Sequence, residues 1–239
     1  MNWNSRTQLL VGEEGVKKLK NSHVLVVGLG GVGAYAAEQL ARAGIGKMTI
    51  IDSDTVNATN KNRQLLALDS TLGRPKVDVM AERIRDINPE VEVIAINQYL
   101  KDQSIIDLME QPFDFVVDAI DTLAPKVFLL YYAVQNKQNI VSCMGAGGKF
   151  NPEMIQIADI SKSFNCRLAF YIRKRLHRLG VREGITVVFS PEKVAESAVT
   201  IEEEQTDNKI ATVGTISYMP AIFGCFCASH VINKLLSRN

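Results

Sequence analysis

Apolar and polar positions along the chain alternate between two periods. Five short apolar runs read as strands: His23–Val27, Met48–Ile51, Val91–Ile96, Phe115–Asp118 and Ile140–Cys143. Between them, Val32–Arg42, Pro75–Ile87, Gln103–Glu110 and Ala124–Gln135 carry helical patterns, and a helix over Gly12–Lys20 precedes the first strand. Pro75 suits a first helical position, where its missing N–H is not needed. Asn88-Pro89 ends that helix and starts the next strand. This alternation predicts an α/β architecture with a mostly parallel sheet.

Past Gly145-Ala146-Gly147-Gly148 the rhythm stops. Met154–Ile160 alternates like a half-exposed strand, Leu168–Leu179 is helical and basic, and Ile185–Phe189 reads as another strand. Glu192–Lys209 is polar and acidic, and a mobile segment is expected there. The apolar stretch from Gly214 to Leu236 is interrupted by Ser217, Pro220, Ser229, His230 and Asn233. It reads as a buried helix capping the sheet and not as a membrane span. No repeat or linker divides the chain, so one domain over 1–239 is expected, with a basic insertion around 161–183.

The 239 residues suffice for one large domain or two small ones. A formal net charge of +1 means that any nucleic-acid partner must dock on a local patch. Cys143, Cys166, Cys225 and Cys227 match neither a disulfide framework nor a C-x-x-C zinc site. Reduced thiols and a cytoplasmic location are expected, and the polar start Met1-Asn2-Trp3-Asn4 carries no secretory apolar region.

The first strand runs into Gly28-Leu29-Gly30-Gly31-Val32-Gly33. Gly28 allows a tight bend, Gly30 lets the backbone approach phosphate oxygens, and Gly33 lets the following helix lie against the sheet. N–H groups at that helix start point at an anion. Asp52, at the end of the next strand, stands where an acid holds a ribose hydroxyl. Strand, glycine turn, helix, strand and acid in this order point to a Rossmann-like nucleotide-binding sheet, largely parallel with an antiparallel extension and helices on both faces.

A dehydrogenase needs little beyond Asp52 on this side. This chain adds Asp54, Asn60-Lys61-Asn62-Arg63-Gln64 and Gly73-Arg74-Pro75-Lys76. Arg63 and Lys76 fall beside the phosphate turn, where two cations suit a triphosphate and a leaving pyrophosphate. Asp121 follows the fourth strand on the same rim, and a carboxylate there can hold Mg²⁺ against phosphate oxygens. Each residue also has a plainer reading. Arg63 and Lys76 can be solvated charges, Asp118 and Asp54 can cap turns, and Asp121 can cap the next helix. Convergence after strand carboxyl ends favours the functional reading.

Together with Asp52-Ser53-Asp54-Thr55-Val56, Ile87-Asn88-Pro89 and Asp118-Ala119-Ile120-Asp121, these motifs resemble the ubiquitin-activating-enzyme-like adenylyltransferases, the ThiF and MoeB type. The resemblance covers at least residues 5 to 160, in order and spacing. It implies ATP-dependent adenylation of a carboxylate by a homodimer. Gly28, Gly30, Gly31, Gly33, Asp52, Asp54, Asn60, Asn62, Arg63, Gln64 and Lys76 would bind ATP. Asp121 would hold Mg²⁺ and act catalytically with Arg63 and Lys76, and Arg6 would reach the ATP of the other subunit. A monovalent cation, Na⁺ or K⁺, is left open.

The absence of paired C-x-x-C motifs sets the chain apart from most sulfur-carrier activators. Its length leaves no room for the catalytic-cysteine domain of ubiquitin-type enzymes. Ser5–Leu19, Gly44-Ile45-Gly46-Lys47, Met80-Ala81-Glu82-Arg83-Ile84 and Gly145-Ala146-Gly147-Gly148 look like the tRNA threonylcarbamoyladenosine dehydratases. That branch implies a modified tRNA adenosine next to the anticodon, whose threonine carboxylate is adenylated and then cyclised with loss of water. No DNA partner is implied. A sulfur-transfer partner is disfavoured, because Lys209-Ile210-Ala211-Thr212-Val213-Gly214 lacks the cysteine found in some of these enzymes. Arg173, Lys174, Arg175 and Arg178, with Phe170 and Tyr171 among them, are candidate tRNA contacts, and the alternative is an ordinary solvated helix face. The competing function is adenylation of a ubiquitin-like sulfur carrier's C-terminus. An NAD-dependent dehydrogenase would leave Arg63, Lys76 and Asp121 without a purpose.

Overall fold

The computed structural model describes residues 3–206 and 209–237. Helix α1 (Ser5–Lys20) leads into β1 (His23–Val27), α2 (Gly33–Ala43), β2 (Lys47–Asp52), α3 (Lys76–Ile87) and β3 (Glu92–Asn97). Then come α4 (Gln103–Met109), β4 (Phe115–Asp118), α5 (Leu123–Gln135), β5 (Ile140–Cys143), β6 (Gln156–Asp159), α6 (Arg167–Arg178) and β7 (Thr186–Phe189). A hairpin of β8 (Val199–Thr206) and β9 (Lys209–Val213) precedes α7 (Tyr218–Leu235).

The main sheet has seven strands in the order β3-β2-β1-β4-β5-β7-β6. All its pairs are parallel except β6 with β7. The chain therefore leaves β1 toward one edge and returns through β4 to the other, opening a crevice beyond the carboxyl ends of β1 and β4. Central strands buried on both faces need continuous apolar runs, and Val24 to Val27 and Phe115 to Val117 supply them.

Helices cover both faces, as the alternation predicts. One core packs α2, α3 and α7 on the sheet through Leu40, Met80 and Phe223. The other packs α4, α5 and α6 through Ile105, Leu129 and Ile172. Helix α7 lies so close to α2 that a Cβ on Gly224 would stand 2.4 Å from the Val32 carbonyl oxygen. It is thus the capping helix expected from its interrupted apolar run. Among the described residues no helix is long and apolar enough to cross a membrane.

Three expectations change. The opening helix begins at Ser5 and not at Gly12, and Gly12 (φ 76°) marks a kink inside it, a conformation that favours glycine. The segment Glu192–Lys209, where the sequence suggests mobility and no regular element, carries a 3₁₀ turn (Glu196–Ala198), β8 and the start of β9, with residues 207 and 208 outside the described set. Backbone pairing, such as Thr200 with Thr212, makes the ladder where no apolar alternation announces one. Cys225, expected as buried packing, is exposed, whereas Cys227 is buried. Two residues along a helix turn the side chain to another face.

Candidate active site

The glycine turn is built by contact. Gly28 takes φ 88°, and a Cβ there would meet the Ala119 carbonyl oxygen at 2.8 Å. A Cβ on Gly33 would stand 1.7 Å from the Gly28 carbonyl oxygen, so the turn closes only with glycine at 33. Gly31 faces Pro220 of α7. At Gly30 the nearest atom to an added Cβ is Gln64 Nε2, 3.8 Å away, leaving open space above the backbone where phosphate oxygens can approach.

Asp52 ties this turn to the next loop. Its carboxylate accepts the Leu29 N–H at 2.6 Å and the Asp54 N–H at 2.7 Å. Burial pushes its pKa up, against the pull of Lys76 and the two N–H donors. A desolvated acceptor at a strand end is placed to take further donors from a ligand.

The loop after β2 is stapled to the start of α3. Thr55 bridges Pro75, Val56 N–H donates to the Arg74 carbonyl, and Lys76 N–H donates to the Asp54 carbonyl. Lys76 is buried and its Nζ lies 2.7 Å from Asp54 Oδ2, so it is no solvated surface charge. Asp54 is that lysine's partner and not a turn cap.

Residues 57–64 form a tight turn. Asn57 and Asn60 form a capping box, in which the Asn57 N–H donates to the Asn60 side-chain amide oxygen and so commits that oxygen. Gln64 N–H donates to the Asn60 carbonyl. Arg63 is half-buried, with Nη1 donating to Thr59 O and to Asn62 Oδ1. The Asn62 amide reaches across to the Thr215 carbonyl at 3.0 Å, joining this turn to the root of the β8–β9 hairpin.

Asp118 and Asp121 follow β4. Asp118 is fully buried and accepts from Lys126 Nζ at 2.7 Å and Ser142 Oγ at 2.6 Å. Its other oxygen accepts the Ile120 N–H, the turn-capping bond foreseen for it. Lys126 also donates to the Ile120 carbonyl at 2.9 Å. The loop carrying Asp121 is therefore gripped from both sides by one buried ion pair. Asp121 itself is exposed on the rim, and the helix cap falls to Thr122 and not to Asp121.

Lys126 escaped sequence reading. Its signal was a lone cation inside the otherwise apolar stretch Leu123-Ala124-Pro125-Lys126-Val127-Phe128-Leu129-Leu130. Lys149 also escaped. It is buried and donates to the Glu192 carbonyl, and burial lowers its pKa while nearby Cys166 and Glu192 pull it back up. Glu192 in turn accepts the Phe150 and Asn151 N–H groups at 2.8 and 2.9 Å, fixing the loop that leaves β5.

Arg6 lies exposed in the first turn of α1, away from these contacts within one chain. On α6, Arg173 donates to the Ser163 carbonyl at 2.7 Å and to its hydroxyl, so part of its guanidinium anchors the helix. Lys174, Arg175 and Arg178 are exposed. The cysteines offer no primed nucleophile in the core: the Cys143 thiol and burial push the Cys227 thiol well up. Among the described residues, no cluster of three or more His, Cys, Asp or Glu could hold a metal by itself.

A glycine turn at the switch point of a largely parallel α/β sheet defines a nucleotide-binding fold. The chain belongs to the ThiF family, whose model matches residues 4–239. It is 40% identical to the tRNA threonylcarbamoyladenosine dehydratase of Bacillus subtilis, with 97% of this chain and 94% of that protein covered. The Escherichia coli enzyme of that name is 36% identical over 99% of this chain and 95% of its own. The crystal structure of the E. coli dehydratase TcdA in complex with ATP superposes with a TM-score of 0.89 at 37% identity, covering 98% of this chain and 93% of that one. The E. coli molybdopterin-synthase adenylyltransferase is 40% identical, but over only 46% of this chain and 44% of its own.

Proposed function

We propose that the protein is an ATP-dependent dehydratase that cyclises N6-threonylcarbamoyladenosine in tRNA through an acyl-adenylate. The observation that carries this is similarity over nearly the whole length to the B. subtilis and E. coli dehydratases, on a chain that carries the glycine turn after β1, Arg63 and Lys76 after β2 and Asp121 after β4.

A free carboxylate is a poor electrophile because oxide is a poor leaving group. The threonine carboxylate oxygen attacks the α-phosphorus of ATP and pyrophosphate departs. An atom of the neighbouring carbamoyl group then attacks the activated carbonyl and loses its proton. AMP leaves with the former carboxylate oxygen, so the nucleoside has lost one water. The second step is intramolecular and needs no enzyme nucleophile.

In this reading the N–H groups of the glycine turn receive the phosphates and Asp52 takes a ribose hydroxyl. Asp54, Asn60, Asn62 and Gln64 shape the loop around them. Lys76 and Arg63 balance the charge growing on the departing pyrophosphate. Lys76 can exchange its exposed partner Asp54 for a phosphate at little cost, since an ion pair with one solvated member is weak. Asp121 offers one exposed carboxylate, which fits Mg²⁺, an ion held by one or two carboxylates plus substrate phosphates and water. Mg²⁺ bound there would neutralise phosphate charge. Arg6 acts on the second subunit's nucleotide in a homodimer. Leu9 and Leu10 stand largely exposed one turn beyond it and supply apolar surface for a second copy to cover. The exposed cations of α6 track tRNA phosphates.

The test is to incubate the purified protein with ATP and threonylcarbamoylated tRNA and weigh the digested nucleosides. Loss of one water from the modified adenosine, with one AMP formed per conversion, is expected. Unchanged tRNA alongside adenylation of a carrier-protein C-terminus would replace this reading with the alternative. Asp121→Ala should abolish AMP formation.

A further inference from the structure

Helix α6 presents a feature that its charge alone does not explain. Asn165, Cys166, Arg167, Phe170, Tyr171 and Arg173 line a shallow hollow of about 310 Å³. Phe170 and Tyr171 are 52% and 40% exposed, in adjacent positions on a helix that otherwise buries Ala169, Ile172 and Leu176. Their rings meet edge to face, with centroids 5.4 Å apart at 73°. The Arg167 guanidinium sits 5.9 Å from the Tyr171 ring centre. Two exposed rings held this way present flat faces at low entropic cost, because each is already fixed by its neighbour.

The surroundings select the ligand. The helix carries no acidic side chain, and exposed Lys174, Arg175 and Arg178 continue from the rings along it. A partner must therefore bring negative charge and flat π-faces together, as single-stranded nucleic acid does. Location selects the part of that partner. Leu168 Cβ is the nearest atom to a Cβ added at Gly145, at 3.9 Å. The start of α6 thus abuts the loop leaving β5, on the same carboxyl-end rim as Asp121 and the glycine turn.

We infer that this hollow is a stacking platform for an unpaired nucleobase of the RNA substrate, with Phe170 and Tyr171 as the rings and Arg167 holding Tyr171 and the adjoining phosphate. The inference rests on the tRNA reading above. It adds that loop bases near the modified nucleotide, and not only the backbone, are gripped. Phosphate contacts position RNA without regard to pairing, whereas stacking requires a base outside a helix.

The test compares binding of the full chain to a hairpin RNA with an unpaired loop and to the same sequence closed into a duplex. A 2-aminopurine in the loop reports stacking by quenching. Phe170→Ala and Tyr171→Ala should each weaken hairpin binding by about tenfold and abolish the quenching. Duplex binding and ATP binding should stay as in the wild type. Phe170→Trp should keep both affinity and quenching. Equal hairpin affinity in wild type and alanine variants, or equal losses for hairpin and duplex, would overturn the platform while leaving the tRNA reading intact. A variant that instead splits an oligomer in sedimentation would mean that the rings cover a second copy, which also overturns it. A wild-type protein that binds neither RNA would sink both readings together.

Discussion

Two of the lysine–aspartate pairs among the described residues, Lys126–Asp118 and Lys76–Asp54, have the same length, 2.7 Å, and opposite surroundings. Lys126 and Asp118 are both 0% exposed, between the sheet and α5. Lys76 is 5% exposed, but its partner Asp54 is 68% exposed. In the first pair neither charge has water to fall back on, so each obliges the other to stay. In the second the carboxylate can return to solvent and release the lysine. Distance is thus silent on purpose here, and the burial of the partner speaks. The interior pair is framework for the Asp121 loop, and under the proposed function the rim pair would hold Lys76 ready for an anion.

The largest effect expected from breaking this contrast is at Lys126. Lys126→Met should cost about 3–5 kcal/mol in urea unfolding, because it strands the Asp118 carboxylate in the core. The double change with Asp118→Asn should cost less than the sum of the singles, since the stranded charge is then gone. If Lys126→Met unfolds no more easily than wild type, the framework role fails.

Lys76 sharpens the other side. Lys76→Ala should lower AMP formation by about 10²–10³-fold. Its stability cost should stay near 1 kcal/mol, the scale of a pair with one solvated member. Asp54→Asn should alter both quantities far less than either lysine change. A Lys76→Ala protein that melts like Lys126→Met would erase the distinction between the pairs.

A smaller effect belongs to Glu38, which clamps α2 to α3. It accepts from Arg42 at 2.9 Å and from Arg83. Burial pushes its pKa up, but the two arginines hold it below the usual carboxylate value. An acid whose folded pKa is depressed contributes stability above its unfolded pKa and loses it as pH falls through the folded one. Glu38→Gln should therefore cost about 1–2 kcal/mol near neutral pH, with the arginines' exposure keeping the figure low. Melting temperatures of variant and wild type should converge as pH drops below about 4.3, the unfolded glutamate value.

What could be read in advance followed from local chemistry. Gly28 to Gly33, the apolar strand before them and Asp52 after them lie within one βαβ unit, where spacing along the chain fixes position in space. Lys76 and Asp54 were both legible as candidates from the motifs around them, but their pairing was not, since it depends on how the loop is stapled at Thr55 and Pro75. Lys126 lay further out of reach. Its pairing with Asp118, which also accepts from Ser142, depends on the register of β4 against β5 and on the phase of α5, neither of which is written locally. The β8–β9 hairpin hid for another reason. Val199 to Thr206 has too few apolar residues to alternate, so its ladder comes from backbone pairing that composition does not announce. The bond from Asn62 to Thr215 joins residues 153 positions apart.

The crossing of backbones at Gly33 reaches past this one protein. With another backbone atom 1.7 Å from where a first side-chain carbon would sit, nineteen letters of the alphabet are closed at that position. A saturation library screened for growth or folding should return a single survivor there. Lineages that drift freely at the neighbouring Leu29 or Val32 would still carry the same residue at 33, held by geometry whatever the substrate becomes.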